Sequence, residues 1–64
     1  MHNNTKRAIL KHLSFGKTYF RVGSYQYFLD SHGVLWRCYD SAFILDFQPV
    51  AFFDSSSSTF VFYI

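Results

Sequence analysis

The sequence predicts an α+β fold: a short N-terminal helix followed by an antiparallel sheet of about five strands, with curling toward a small barrel as one way to finish it. Three observations carry that expectation. Helical spacing of apolar residues is confined to the segment before Gly16. From Lys17 onward the chain turns to short runs of Phe, Tyr and Val. Those runs end in turn signals, and Asp-Ser recurs at Asp30-Ser31, Asp40-Ser41 and Asp54-Ser55.

Ile9, Leu10 and Leu13 fall within an arc of about 100° when each residue advances 100°, which is a narrow apolar stripe. Arg7, Lys11 and Ser14 lie opposite it. Asn3 or Asn4 suits an N-cap, and Gly16 sits where a left-handed residue closes a helix. The spacing therefore predicts a helix over 4–14. Lys6 and Arg7 oppose the dipole in its first turn, whereas Lys11 and His12 near its end favour it.

The rest, 17–64, reads as antiparallel sheet. Short polar side chains that bond their own backbone stop strands, and the spacing of the Asp-Ser pairs matches a meander. Gly23-Ser24 fits a two-residue type II′ turn, and Asp30-Ser31-His32-Gly33 a four-residue turn. The first turn places Val22 opposite Tyr25 and Phe20 opposite Tyr27. The second places Leu29 opposite Val34, Tyr27 opposite Trp36 and Tyr25 opposite Cys38. One face then collects Phe20, Val22, Tyr25, Tyr27, Leu29, Val34, Trp36 and Cys38, with no charge among them. A slip of one residue would scatter that set, so its agreement favours the register.

Further strands are expected over 43–47, 50–53 and 60–64. Pro49 cannot donate to a ladder and marks an edge, a bulge or a break. Residues 55–58 are all Ser and read as a loop. The final apolar run has no polar alternation, which predicts a strand buried on both faces. It must be covered, by its own chain or by a second copy, because exposed it is an aggregation hazard.

Composition excludes several classes. Half of the residues are apolar and 16% are charged, which excludes a disordered chain. No apolar run approaches the ~20 residues of a membrane-spanning helix, and Met1-His2-Asn3-Asn4 does not begin a secretory signal. A single domain over 1–64 is expected, with marginal stability for its size. Cys38 is the lone cysteine, so no internal disulfide can help, and it fits a reducing, cytoplasmic setting. An aromatic content of 23% offers one compensation. A symmetric homodimer through the C-terminal strand, near Phe60, Phe62 or Ile64, offers another.

Catalytic parts are scarce. The chain has no Glu, and its four Asp residues stand at expected strand ends. His2, His12, His32 and Cys38 lack the compact spacing of metal ligands, and Cys38 reads as a small buried hydrophobe. The three glycines fall at turn intervals, not in a phosphate loop. No catalytic residue, metal or cofactor is expected.

Charge and aromatics point instead to binding. Residues 1–29 carry a net +5 and the remainder −3. The second sheet face collects Lys17, Tyr19, Arg21, Gln26, Phe28, Leu35, Arg37 and Tyr39. Its polar and aromatic members, with Arg7 and Lys11 of the helix, form the expected binding set. Tyr and Arg dominate protein-binding hot spots, so the leading expectation is a non-enzymatic protein docking on a protein or nucleoprotein complex. The size and lack of catalytic parts suit a viral or mobile-element inhibitor of a host complex, an association rather than a physical argument. Aromatics between cations also form single-stranded nucleic acid platforms, which gives the alternative. A net charge of +2 is low for that role. The competing arrangement folds the C-terminal strands over this face as a second layer, which would make Tyr19 and Phe28 core.

Overall fold

Helix α1 runs Asn3–Ser14 and ends as its glycine predicts. Gly16 adopts φ 78°, with its N–H on the Leu13 carbonyl at 3.0 Å and the Lys17 N–H on that of His12 at 3.3 Å. Those two bonds are the Schellman pattern. The start differs from expectation. His2 holds the cap position, makes no side-chain capping bond, and leaves Asn3 and Asn4 inside the first turn.

A computed structural model describes residues 1–41 and 45–64. Five antiparallel strands follow the helix: β1 (Tyr19–Val22), β2 (Tyr25–Leu29), β3 (Val34–Tyr39), β4 (Gln48–Asp54) and β5 (Thr59–Phe62). Each pairs with its neighbour in the order β1-β2-β3-β4-β5. The sheet is an open meander with β1 and β5 as edges, and it does not close into a barrel. Nor do the C-terminal strands fold back as a second layer, since β4 pairs with β3 and extends the same sheet. Of the strand expected over 43–47, Phe43 and Ile44 lie outside the described residues, and 45–47 are not strand.

The first hairpin has the expected register, Val22 opposite Tyr25 and Phe20 opposite Tyr27. The second is shifted by one residue. Leu29 faces Leu35, Tyr27 faces Arg37 and Tyr25 faces Tyr39. The cause is Gly33. Asp30 and Val34 already pair through Asp30 N–H to the Val34 carbonyl at 3.0 Å, so the loop holds three residues, not four. Gly33 takes φ 82° in it, the left-handed position of a three-residue hairpin. Its other neighbour leaves little room for a side chain: a Cβ there would stand 3.3 Å from Phe53 Cβ, closer than most such contacts.

That shift exchanges the faces of β3, because side chains alternate along a strand. Leu35 joins Phe20 and Tyr27 in the core and is fully buried. Val34, Trp36 and Cys38 move to the opposite face. Ile9 of α1 caps the cluster formed by Phe20, Tyr27, Leu35, Val50 and Ala51. A bulge between Leu35 and Trp36 pairs Trp36 with Pro49 and leaves Val50 as the extra residue. Pro49 thus sits at an irregularity in the ladder, where its missing N–H is tolerated. β5 is not buried on both faces as expected; Thr59 and Val61 are exposed while Phe60 and Phe62 are half-buried.

Tyr27 is fully buried and stacks on Phe20 at a centroid distance of 5.5 Å, yet its hydroxyl has no hydrogen-bond partner among the described residues. An unpaired buried hydroxyl costs ~1–3 kcal/mol. Tyr27→Phe is therefore expected to stabilise the domain by about 1 kcal/mol, seen as a higher urea midpoint at unchanged slope. A lower midpoint would show that the hydroxyl finds a partner in solution.

Candidate interaction surface

The helix occupies one side of the sheet and leaves the other without a covering layer among the described residues. Cross-strand partners share a face, so the register orders this far face into rows. Arg21, Gln26 and Cys38 make one row, and Tyr19, Phe28, Trp36 and Pro49 the next. Val34, Phe52 and Val61 make the third. Tyr63 leans on Phe52 at 5.6 Å between ring centroids. Tyr19 is 55% exposed and Phe28 44%, so the middle row is an aromatic strip open to solvent.

Two local devices hold that strip. The Tyr19 hydroxyl donates to Gln26 Oε1 across the first hairpin. The Trp36 indole Nε1–H donates to Asp30 Oδ2 at 2.9 Å, while Asp30 Oδ1 accepts the His32 and Val34 N–H groups, both at 2.9 Å. The residue that organises the three-residue loop therefore also fixes the indole. Cys38 is buried on this face, outside the helix-side cluster, with Sγ 3.6 Å from the Tyr39 carbonyl.

The Trp36 bond is the main reason that the Asp30 carboxyl lies below its ordinary value of 3.8; the Val34 amide adds to it and partial desolvation opposes it. Asp54 is lowered too, chiefly by the Ser56 side chain and amide. A carboxyl depressed in the fold stabilises it above the unfolded pKa, and that contribution is lost as pH falls through the folded value. Stability should thus hold from neutral pH to about 5 and decline below about 4. Urea midpoints from pH 7 to pH 2 should show a shallower acid decline for Asp30→Asn combined with Asp54→Asn. An identical decline in the double variant would exclude these two groups as its source.

The residues expected to bind do not all meet. Tyr19, Arg21, Gln26 and Phe28 share the far face, as expected. Arg37 and Tyr39 do not, because the β3 shift turns them to the helix side. There Arg37 stacks its guanidinium 4.2 Å above the Tyr25 ring, and Tyr39 meets the same ring edge-on. Leu35, also expected on this face, is core. Arg7 and Lys11 lie exposed on α1, across the sheet from the strip. Lys17 sits at the helix exit with Nζ 3.4 Å from His12 Nδ1. Trp36, Val34, Phe52, Val61 and Tyr63 are far-face residues that the expected set lacked. A three-residue reading of Ser31-His32-Gly33 would have found the first two.

Electrostatically the strip is nearly neutral. Arg21 is the one cation in its described rows, and it pairs with Asp40 at 3.2 Å on the exposed surface. Such pairs contribute little to stability, but the carboxylate offsets the charge that a phosphate would meet. Among the described residues no group of three or more His, Cys, Asp or Glu side chains could hold a metal, and no helix is long and apolar enough to cross a membrane. No family model, curated protein or solved structure matches the chain.

Proposed function

We propose that this chain is a non-enzymatic interaction protein that docks on a larger protein through the far face of its sheet. The observation that carries the reading is the open row Tyr19–Phe28–Trp36, flat, aromatic and held in place by Gln26 and Asp30. Aromatic side chains on a rigid sheet lose little conformational freedom on binding, and Tyr and Trp are enriched in hot spots. The nucleic acid alternative is weaker on this geometry. It needs cations between the aromatics, and the β3 shift removes Arg37 from the face while Asp40 engages Arg21. A role as an inhibitor carried by a virus or mobile element extends the docking reading by analogy of size.

The test is capture from a lysate of the native source, with and without nuclease, over a range of salt. Retention of a protein is expected to survive nuclease and to vary weakly with salt. Phe28→Asp should abolish it while preserving the circular dichroism of the fold. Charge reversal of Arg7 and Lys11, on the other side, should leave it unchanged. Retention that needs nucleic acid, with log affinity falling by ~0.7 per phosphate for each unit of log salt, would overturn the proposal in favour of the alternative.

A further inference from the structure

We propose that the β5 edge is a self-association surface, on which a second copy of this chain adds its own β5 antiparallel about a two-fold axis at Val61. The inference is independent of the far-face reading, since it rests on the backbone of an edge and not on the aromatic strip.

An edge strand exposes unpaired N–H and C=O groups that invite another strand, and proteins guard such edges with charge. The two edges of this sheet differ in that respect. β1 carries Arg21, and Lys17 precedes it. β5 and the two residues after it, Thr59 through Ile64, carry no charged side chain. The strand is also tied firmly in place, because Tyr63 N–H reaches the Val50 carbonyl at 2.9 Å beyond its last paired residue.

That bond fixes which groups are free. Tyr63 and Val50 form a hydrogen-bonded pair, so by the two-residue alternation of antiparallel ladders Val61 and Thr59 also direct their backbone groups toward β4. Phe60 and Phe62 then direct theirs outward, to the open edge. A two-fold axis at Val61 sets Phe60 of one copy against Phe62 of the other, twice, and satisfies both residues in each chain with about four main-chain hydrogen bonds. It also places the two Val61 side chains together on the far face, where each is 39% exposed in the single chain. Ser58, at φ 55°, ends the strand before any polar residue beyond Thr59 enters the pairing. No residue of Thr59 through Ile64 brings a charge into the seam, although Lys6 of each copy stands over its own Phe62 ring at 5.4 Å on the helix side. The product is one continuous sheet that presents two aromatic strips side by side, and its edges are the guarded β1 strands.

A pairing this short lies at the small end of protein interfaces, so its dissociation constant should fall near ~1–100 μM. Sedimentation equilibrium from about 5 to 500 μM, chosen to span that range, should therefore show the mass rising from 7.6 kDa toward twice that value and no further. Val61→Lys should hold the mass at the monomer with an unchanged circular dichroism spectrum. A synthetic chain N-methylated at Phe62 should do the same, because it loses only an outward donor and keeps every side chain. Charge-neutral substitution of Arg21 on the other edge should leave the dimer intact. Val61→Cys in a Cys38→Ala background should form an intermolecular disulfide under mild oxidation, as paired residues with Cα atoms ~4.5 Å apart allow. A folded chain that stays monomeric throughout, a dimer that survives N-methylation of Phe62, or masses that climb past the dimer would each overturn the proposal.

Discussion

Leu35→Ala is expected to unfold the domain. Leu35 is 0% exposed and lies in the centre of the cluster that Ile9 closes. Removing a buried leucine side chain costs about 2–5 kcal/mol, the transfer of the lost carbons plus the cavity they leave. A chain of this length has only ~3–10 kcal/mol in total at typical values per residue. Little remains for the surrounding structure to relax into, because β3 is held on both sides by β2 and β4. Trp36→Ala, one residue along, should be milder: it removes a half-buried ring and the bond to Asp30 but opens no cavity between helix and sheet. Denaturant curves and amide dispersion of the two variants measure the contrast. A folded Leu35→Ala variant beside an unfolded Trp36→Ala variant would exchange the two faces of β3 and remove the basis of the account.

The second large effect concerns binding. Once the partner is in hand, Phe28→Ala should weaken the complex by about 2–4 kcal/mol, roughly 30-fold to 1,000-fold in dissociation constant. Phe28 stands between Tyr19 and Trp36 in the same row, and central residues ringed by others exclude water and carry most of the energy. Its exposure in the free chain means that truncation should cost the fold little, so binding and stability separate cleanly. Arg37→Ala makes the useful contrast. It lies on the helix side over Tyr25 and should leave affinity near its original value. Titration calorimetry would decide, and a loss larger for Arg37→Ala than for Phe28→Ala would move the interface to the other side of the sheet.

The sequence disclosed the parts of this fold that depend on local chemistry. The apolar stripe Ile9, Leu10, Leu13 marked the helix, Gly16 its end, and Gly23-Ser24 the first turn with its register. Pro49 announced an irregularity and stands at a bulge. The second hairpin was illegible for a physical reason. Four-residue and three-residue loops both accommodate Asp-Ser-His-Gly, and both registers give β3 an apolar face, since Val34, Trp36 and Cys38 are as apolar as Leu35. Hydrophobic pattern favoured the four-residue loop, because the observed register puts Arg37 on the core side, where it is accommodated by lying over the Tyr25 ring. The choice is made by Gly33 closing against Phe53 of β4, a contact twenty residues away in sequence. Half of the candidate site followed from β1 and β2, whose register was legible. The other half changed with one loop residue: Arg37 and Tyr39 left the far face, and Trp36 and Val34 entered it.

The β2–β3 register is the claim on which both faces rest, and the α-protons of paired residues report it directly. Asp30 with Val34 and Ser24 with Asp40 are joined by hydrogen bonds of 3.0 and 2.8 Å, so the alternate pairs between them are the closely spaced, non-hydrogen-bonded ones. Tyr27 with Arg37 is such a pair. A nuclear Overhauser spectrum of the folded chain should show a strong cross-peak between the α-protons of Tyr27 and Arg37, and another between those of Leu29 and Leu35. A strong cross-peak between Phe28 and Leu35 α-protons in their place would restore the four-residue loop, return Trp36 to the core side and contradict the account.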